Sequence, residues 1–152
     1  MAGDGAMRIV MGQLIRAQQV ATQQRRNIEV QFIGNNWIRL IRHELDGTTT
    51  TISNVALEGG IQYALVPSIP DTPDLFGNGS ALAFGGASLI QFTSDGTLAD
   101  QNGNPLNGTV FLSIGAQVTS FRAVTIMGNT GRVRAYRSVA NGAGSFVGWS
   151  RV

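Results

Sequence analysis

Apolar residues recur at three- and four-residue spacing near the start of the chain and at every second position in much of the remainder. Met7, Val10, Met11, Leu14, Ala17 and Ala21 line one face of a helix that this spacing predicts from Met7 to Arg26. Arg8, Gly12, Gln13, Arg16, Gln19, Gln23 and Arg26 fall largely opposite. Ile9 and Val20 break the pattern by placing apolar side chains on the back of the helix near Arg16, where they offer a second contact surface. Scattered exposed apolar residues are also common on folded proteins, so the two need no partner to explain them.

After Arg26 the period changes to two. Ile28, Val30 and Phe32 share one strand face, Gly34, Asn35 and Asn36 supply a tight turn, and Trp37 to His43 forms the returning strand of a hairpin. Thr48 to Leu57 is β-branched and extended, and Ile61 to Val66 reads as another strand. Pro67, Pro70 and Pro73 close it, and the stretch from Ser68 to Gly86 reads as a long surface loop. Leu89 to Phe92 is a short buried strand before a turn at Asp95 and Gly96. Val110 to Ile114, Ala123 to Met127 and Arg132 to Tyr136 supply three more strands, the last two joined across Gly128, Asn129, Thr130 and Gly131. An amphipathic helix of this length must bury its stripe, so it is expected to pack on one twisted sheet. The predicted fold is α+β, an N-terminal amphipathic helix on antiparallel sheet.

Length and composition narrow this further. A chain of 152 residues suits one domain with a real core. That domain is placed at residues 7–152, with the helix over 7–26 and the β region over 27–152. Residues 1–6 are small and polar; they read as an added leader joined to a natural sequence truncated upstream, or as the helix start. With 43% hydrophobic and 13% charged residues the chain is not a disordered tail, and 20 glycines imply many tight turns. All 11 basic residues are arginine against 9 acids, a net charge of +2 that is too mild to demand an anionic partner. The absence of cysteine excludes disulfides, thiol catalysis and cysteine-ligated zinc. No apolar run reaches the roughly 18 residues of a membrane span.

Catalytic chemistry finds little support. His43 is the only histidine, and in an alternating strand Arg42 and Glu44 point to the other face, so a structural role is expected. Asp100, Asn102 and Asn104 resemble the start of a calcium loop. However, Pro105 stands where the turn glycine belongs and Phe111 where a bidentate glutamate would sit, so a hairpin loop explains them better. Gly77 to Gly86 lacks the Gly-Lys-Ser/Thr ending of a phosphate loop. No catalytic residue, metal ligand, cofactor or small-molecule substrate is expected.

The most suggestive polar motif is Gly131, Arg132, Val133, Arg134. On an extended strand Arg132 and Arg134 project from one face roughly 6 to 7 Å apart, and Tyr136 continues the row. Two guanidiniums could grip neighbouring phosphates with Tyr136 as a stacking platform, while Arg137, Arg122 and Arg151 add to the field. Arginines flanking a hairpin turn also keep an exposed edge soluble, and residue chemistry alone favours that plainer role.

Several segments in order carry a resemblance. Met7 to Arg26 leads directly into Asn27 to Phe32; then come the aromatic strand at Trp37, Ile90 to Gly96 (IQFTSDG), Gly108 to Ser113 (GTVFLS) and the late hairpin VTIMGNTGRVR. Together these resemble the soluble domain of the GspH/FimT family of minor pseudopilins and minor type IV pilins. The resemblance implies a β domain on a helical stem, made as a prepilin whose apolar N-terminal half-helix holds it in the bacterial inner membrane with the domain in the periplasm before it enters a fibre. The cleavage site and that half-helix do not appear in this sequence, so membrane contact is expected only through a missing segment. Members similar to FimT carry a GRxR motif that binds double-stranded DNA in natural transformation, which maps onto Gly131, Arg132 and Arg134. Members similar to GspH serve a type II secretion pseudopilus without DNA binding. The motif tilts the expectation toward the pilus branch, with other pilins or pseudopilins as partners.

Overall fold

The computed structural model describes residues 2–152. Met1, part of the segment read as a leader or helix start, lies outside the described residues. Helix α1 runs Ala2–Gln24, starting before the predicted Met7. Two poor helix formers, Gly3 and Gly5, are carried into the helix by tertiary contacts that outweigh propensity. Asp4 lies in the first turn, where a carboxylate complements the helix dipole, and accepts a 2.9 Å hydrogen bond from Arg122 Nε. Gly3 permits the approach, because a Cβ there would stand 3.1 Å from Arg122 Cζ and from the Ser120 carbonyl. Residues 2–6 therefore belong to the packed helix. At the other end Arg25 takes a left-handed φ of 54°, and its neighbour's amide closes on the Ala21 carbonyl.

Eleven strands come after the helix: β1 Ile28–Ile33, β2 Trp37–His43, β3 Thr49–Ala56, β4 Gln62–Tyr63, β5 Leu82–Ala83, β6 Ile90–Phe92, β7 Leu98–Ala99, β8 Gly108–Ser113, β9 Arg122–Met127, β10 Arg132–Ala140 and β11 Phe146–Arg151. They form two antiparallel sheets. The first has the order β3-β2-β1-β6-β7, and the second β11-β10-β9-β8-β4 with β5 also paired to β8. This is the α+β architecture expected, an N-terminal helix on antiparallel sheet.

The helix packs on both sheets rather than one. It contacts β1, β2 and β6 of the first and β8, β9 and β10 of the second. Its predicted stripe is the buried one: Met7, Val10, Leu14, Ala17 and Ala21 are fully buried, joined by Ala6, while Met11 is half-buried against the same core. These side chains share one cluster with Ile28, Val30, Ile38, Leu40 and Phe92 from the first sheet and Val110, Leu112, Val124, Ile126 and Ala135 from the second. Seated between two sheets, the helix needs a wider apolar arc than one sheet would cover. Ile9 and Val20, expected on a free back surface, are accordingly half-buried against this core. Among the described residues, the apolar side chain left most open on the helix is Ile15.

Long-range packing accounts for three further differences. The expected strand Ile61 to Val66 shrinks to β4, because beyond Tyr63 the chain turns to lay Leu65 on the far face of the second sheet. The stretch 68–86 is not a free surface loop. Thr72 is fully buried, Phe84 joins the main core, and the Pro70 carbonyl accepts a 2.9 Å hydrogen bond from Trp149 Nε1. Strand β11, unrecognised in the sequence, extends the second sheet by pairing with β10 across a bulge at Val139 and Ala140.

Stability should respond at two points of this packing. Leu14→Ala, which empties the seam between helix and sheets, is expected to cost about 2–5 kcal/mol in urea unfolding. Arg122→Ala removes the closer of the two partners of the Asp4 carboxylate and leaves it Arg137 at 3.4 Å, so it is expected to cost about 1.5–3 kcal/mol, whereas Arg122→Met combined with Asp4→Ala costs less.

Candidate anion-binding surface around Arg132 and Arg134

The register of the second sheet sets which side chains share its outer face, away from the helix. Thr109 lies opposite Thr125 and Thr125 opposite Arg134; Phe111 lies opposite Ala123 and Ala123 opposite Tyr136. The inner face carries Val110, Val124 and Ala135 in the core and, at the helix start, Arg122 beside Arg137. Alternation along β10 thus places Arg132, Arg134 and Tyr136 in one outward row and Arg137 on the opposite face. The row was legible in the sequence; its surroundings were not.

Gly131 is a packing residue. It has a φ of +70°, and a Cβ there would overlap the Gln18 side-chain amide, which donates 3.1 Å hydrogen bonds to the Gly96 and Thr130 carbonyls. The helix thereby ties the β9–β10 turn to the turn at Asp95 and Gly96. Arg132 is exposed, its Nη2 resting 3.8 Å from Met127 Sδ.

Arg134 is not a free guanidinium. Its Nη1 donates to Asp74 Oδ1 at 2.9 Å, while Asp74 Oδ2 accepts from the Tyr136 hydroxyl at 2.9 Å and from Thr125 Oγ1 at 2.6 Å. One carboxylate therefore closes three donors from two strands. Tyr136 is only 3% exposed and packs with Phe111 and Ala123, against which Leu65 and Trp149 lie. Its ring has no open face, which corrects its expected role as a stacking platform. Arg137 reaches Asp4 Oδ2 at 3.4 Å on the helix side of the sheet, and Arg122 is buried against the same carboxylate. Neither adds to a field around Arg134. Arg151 stands opposite Tyr136 at the end of β11 and is exposed.

Asp74 arrives on a segment from Ala64 to Ala81, here called the strap, which crosses the outer face of the second sheet. Its tip is built around Asp71, whose carboxylate accepts from the amides of Thr72 at 2.7 Å and Gly77 at 2.9 Å. Leu75, directly after Asp74, holds a φ of +61°, a strained conformation for a branched side chain, and stands largely exposed. Sequence reading missed Asp74 and Thr125 because their partners lie tens of positions away. The only local signal was an acid between two prolines and a glycine in a segment that read as loop.

The other candidates resolve as structural. His43 Nε2 lies 2.8 Å from Glu29 Oε1, bridging β2 to β1. Asp100 Oδ1 accepts from the amides of Asn102 and Asn104, each at 2.9 Å, so the calcium-like residues form a hairpin turn. Among the described residues, no cluster of three or more histidines or acids is placed to hold a metal, and no helix is long and apolar enough to cross a membrane. Compared with known proteins, the chain matches no family model, no curated protein and no solved structure.

Electrostatics obey the same geometry. Burial pushes the Asp74 carboxyl up, but hydrogen bonds from Thr125 and Tyr136 and the Arg134 charge outweigh it and hold it below the usual carboxylate value. Burial and the Asp74 carboxylate raise the Tyr136 phenol. The Asp4 carboxyl is lowered, chiefly by its hydrogen bond from Arg122. A carboxyl with a depressed folded pKa adds stability that is complete above its unfolded value, about 3.9, and is lost as pH falls through the folded value. Stability is therefore expected to fall below about pH 4. In Asp74→Ala it is expected to be about 1.5–3 kcal/mol lower at neutral pH, with a shallower acid decline, as read by urea unfolding across pH.

Proposed function

We propose that the chain is a non-enzymatic structural subunit of a pilus-like fibre, a minor pilin or pseudopilin that contributes a domain on a helical stem. The observation that carries the reading is the placement of α1, which leads the chain, holds both sheets by one stripe and leaves Arg8, Gly12, Ile15, Arg16, Gln19 and Gln23 open along the other. A helix used in this way is half core and half contact surface. The order of segments that resembles the GspH/FimT soluble domain supports the same reading, with the domain periplasmic and the inner membrane reached through a segment upstream.

Between the two branches, the pairing of Arg134 with Asp74 favours the secretion-type subunit that binds no nucleic acid. A DNA-receptor branch draws on Arg132, the member of the motif that is exposed and, among the described residues, makes no ion pair.

Reading the encoding gene upstream of the start of α1 tests the proposal. A short basic leader, a glycine before the cleavage point and about twenty apolar residues with a glutamate at mature position five are expected; a frame without them overturns the fibre reading. The branches separate on a short DNA duplex at about 50 mM salt. The secretion-type branch predicts no retardation. The receptor branch predicts binding that Arg132→Ala weakens, with a log–log salt slope of about −0.9 per phosphate contact.

A further inference from the structure

We propose that the outer face of the first sheet, along β2, is a docking surface for an extended segment of another protein that presents an aliphatic, an acidic and an aliphatic side chain at every second residue. The proposal rests neither on the fibre reading nor on the late arginine motif.

Register and burial define the face. Ile28, Val30, Ile38 and Leu40 are buried toward the helix, so the residues between them point outward. Trp37, Arg39 and Ile41 therefore form one row along β2. Ile33 of β1 lies opposite Trp37, and Gln31 of β1 and Asn54 of β3 lie opposite Arg39. Trp37 is 41% exposed, Ile33 and Ile41 are half-buried, and all three lie outside both apolar clusters of the domain. Toward the β7 edge of the same face Gln91 and Ala99 are buried, so the opening is confined to β1, β2 and β3.

Charge says what the cover must carry. Arg39 is half-buried between Trp37 and Ile41, yet among the described residues its guanidinium makes no ion pair. Glu29, an acid on the same face, is already held by His43 Nε2 and Gln31 Nε2, each at 2.8 Å. A partly desolvated guanidinium without an anion favours a partner that brings a carboxylate. The second sheet shows the same pattern answered within the chain. There Arg134 and Tyr136 share a face at the spacing of Arg39 and Trp37, and the strap lays Leu65 against the aromatic cluster and Asp74 against the guanidinium. Over Trp37 and Arg39 no such segment lies among the described residues, so the matching side chains would come from another chain. Trp37, Arg39 and Ile41 follow one another at roughly 6 to 7 Å, the spacing of alternate residues in a second extended segment. Tryptophan and arginine are also the residue types in which interfaces concentrate binding energy.

The test titrates the intact ¹⁵N-labelled chain with the peptide acetyl-Ser-Leu-Ser-Glu-Ser-Leu-Ser-amide and with its counterpart carrying lysine in place of glutamate. The glutamate peptide is expected to shift the Trp37 indole N–H and the amides of Ile33, Arg39 and Ile41 saturably, and to bind at least about tenfold more tightly than the lysine peptide. Arg39→Gln is expected to abolish that difference, and Trp37→Ala to weaken both peptides. Both side chains lie outside the core, and an unchanged Tm verifies that each variant is folded. Shifts by the glutamate peptide that are absent, fall elsewhere or equal those of the lysine peptide overturn the proposal. Dilution of the parent chain alone that moves the same signals also overturns it, by assigning the face to a second copy. If either variant fails to fold, the comparison of the two peptides on the parent chain decides.

Discussion

The burial of one helix against two sheets is the constraint on which the rest of the molecule depends. Among the described residues neither sheet pairs with the other through a named strand, yet the apolar side chains of both meet those of α1 in one cluster. The helix is thus the main seam of the domain, with direct bridges between the sheets from Leu98 to Gly128 and from Phe32 to Tyr63. It explains why Ala17 and Ala21 are small where the helix lies close to strand, why Ile9 and Val20 are drawn inward, and why the helix begins early enough for Asp4 to meet Arg122. That ion pair locks the first turn to β9 where hydrophobic contact gives way to charge, and Gln18 does the same for two turns farther along the helix.

The outer face of the second sheet is organised differently. It carries a small aromatic cluster, Phe111 and Tyr136 with Trp149 against them, and beside it a polar row that no apolar cover could satisfy. The strap supplies both kinds of cover: Leu65 lies over the aromatics and Asp74 caps Thr125, Arg134 and Tyr136. A guanidinium in that row needs a nearby anion because leaving the charge partly desolvated and unpaired is expensive. The carboxylate that answers this need also occupies Arg134 Nη1.

The legible part of the sequence was whatever repeats at short range. The helical stripe from Met7 to Ala21, the hairpin from Ile28 to His43 and the face shared by Arg132, Arg134 and Tyr136 all come from periods of 3.6 and 2 and from glycine and asparagine at turns. Strand β11 escaped because Gly142, Gly144 and Gly148 make its surroundings read as loop, while its order comes from pairing with β10. The division into two sheets escaped because periodicity names a buried face without naming what covers it. In the candidate site the cations were visible and their anion was not, since Asp74 and Arg134 meet only through the tertiary fold.

On the fibre reading, a stem helix that is also the main seam of its domain would pass any load from its neighbours directly into both sheets. That coupling requires helix and sheets to open together. Native-state hydrogen exchange measures this directly, through the opening free energies of amides in α1 around Leu14, in β1 and β2 around Val30 and Leu40, and in β8 and β9 around Val110 and Val124. All three sets are expected to share one opening free energy equal to that of global unfolding. A first or second sheet that opens at a distinctly lower free energy while α1 stays protected would contradict the account.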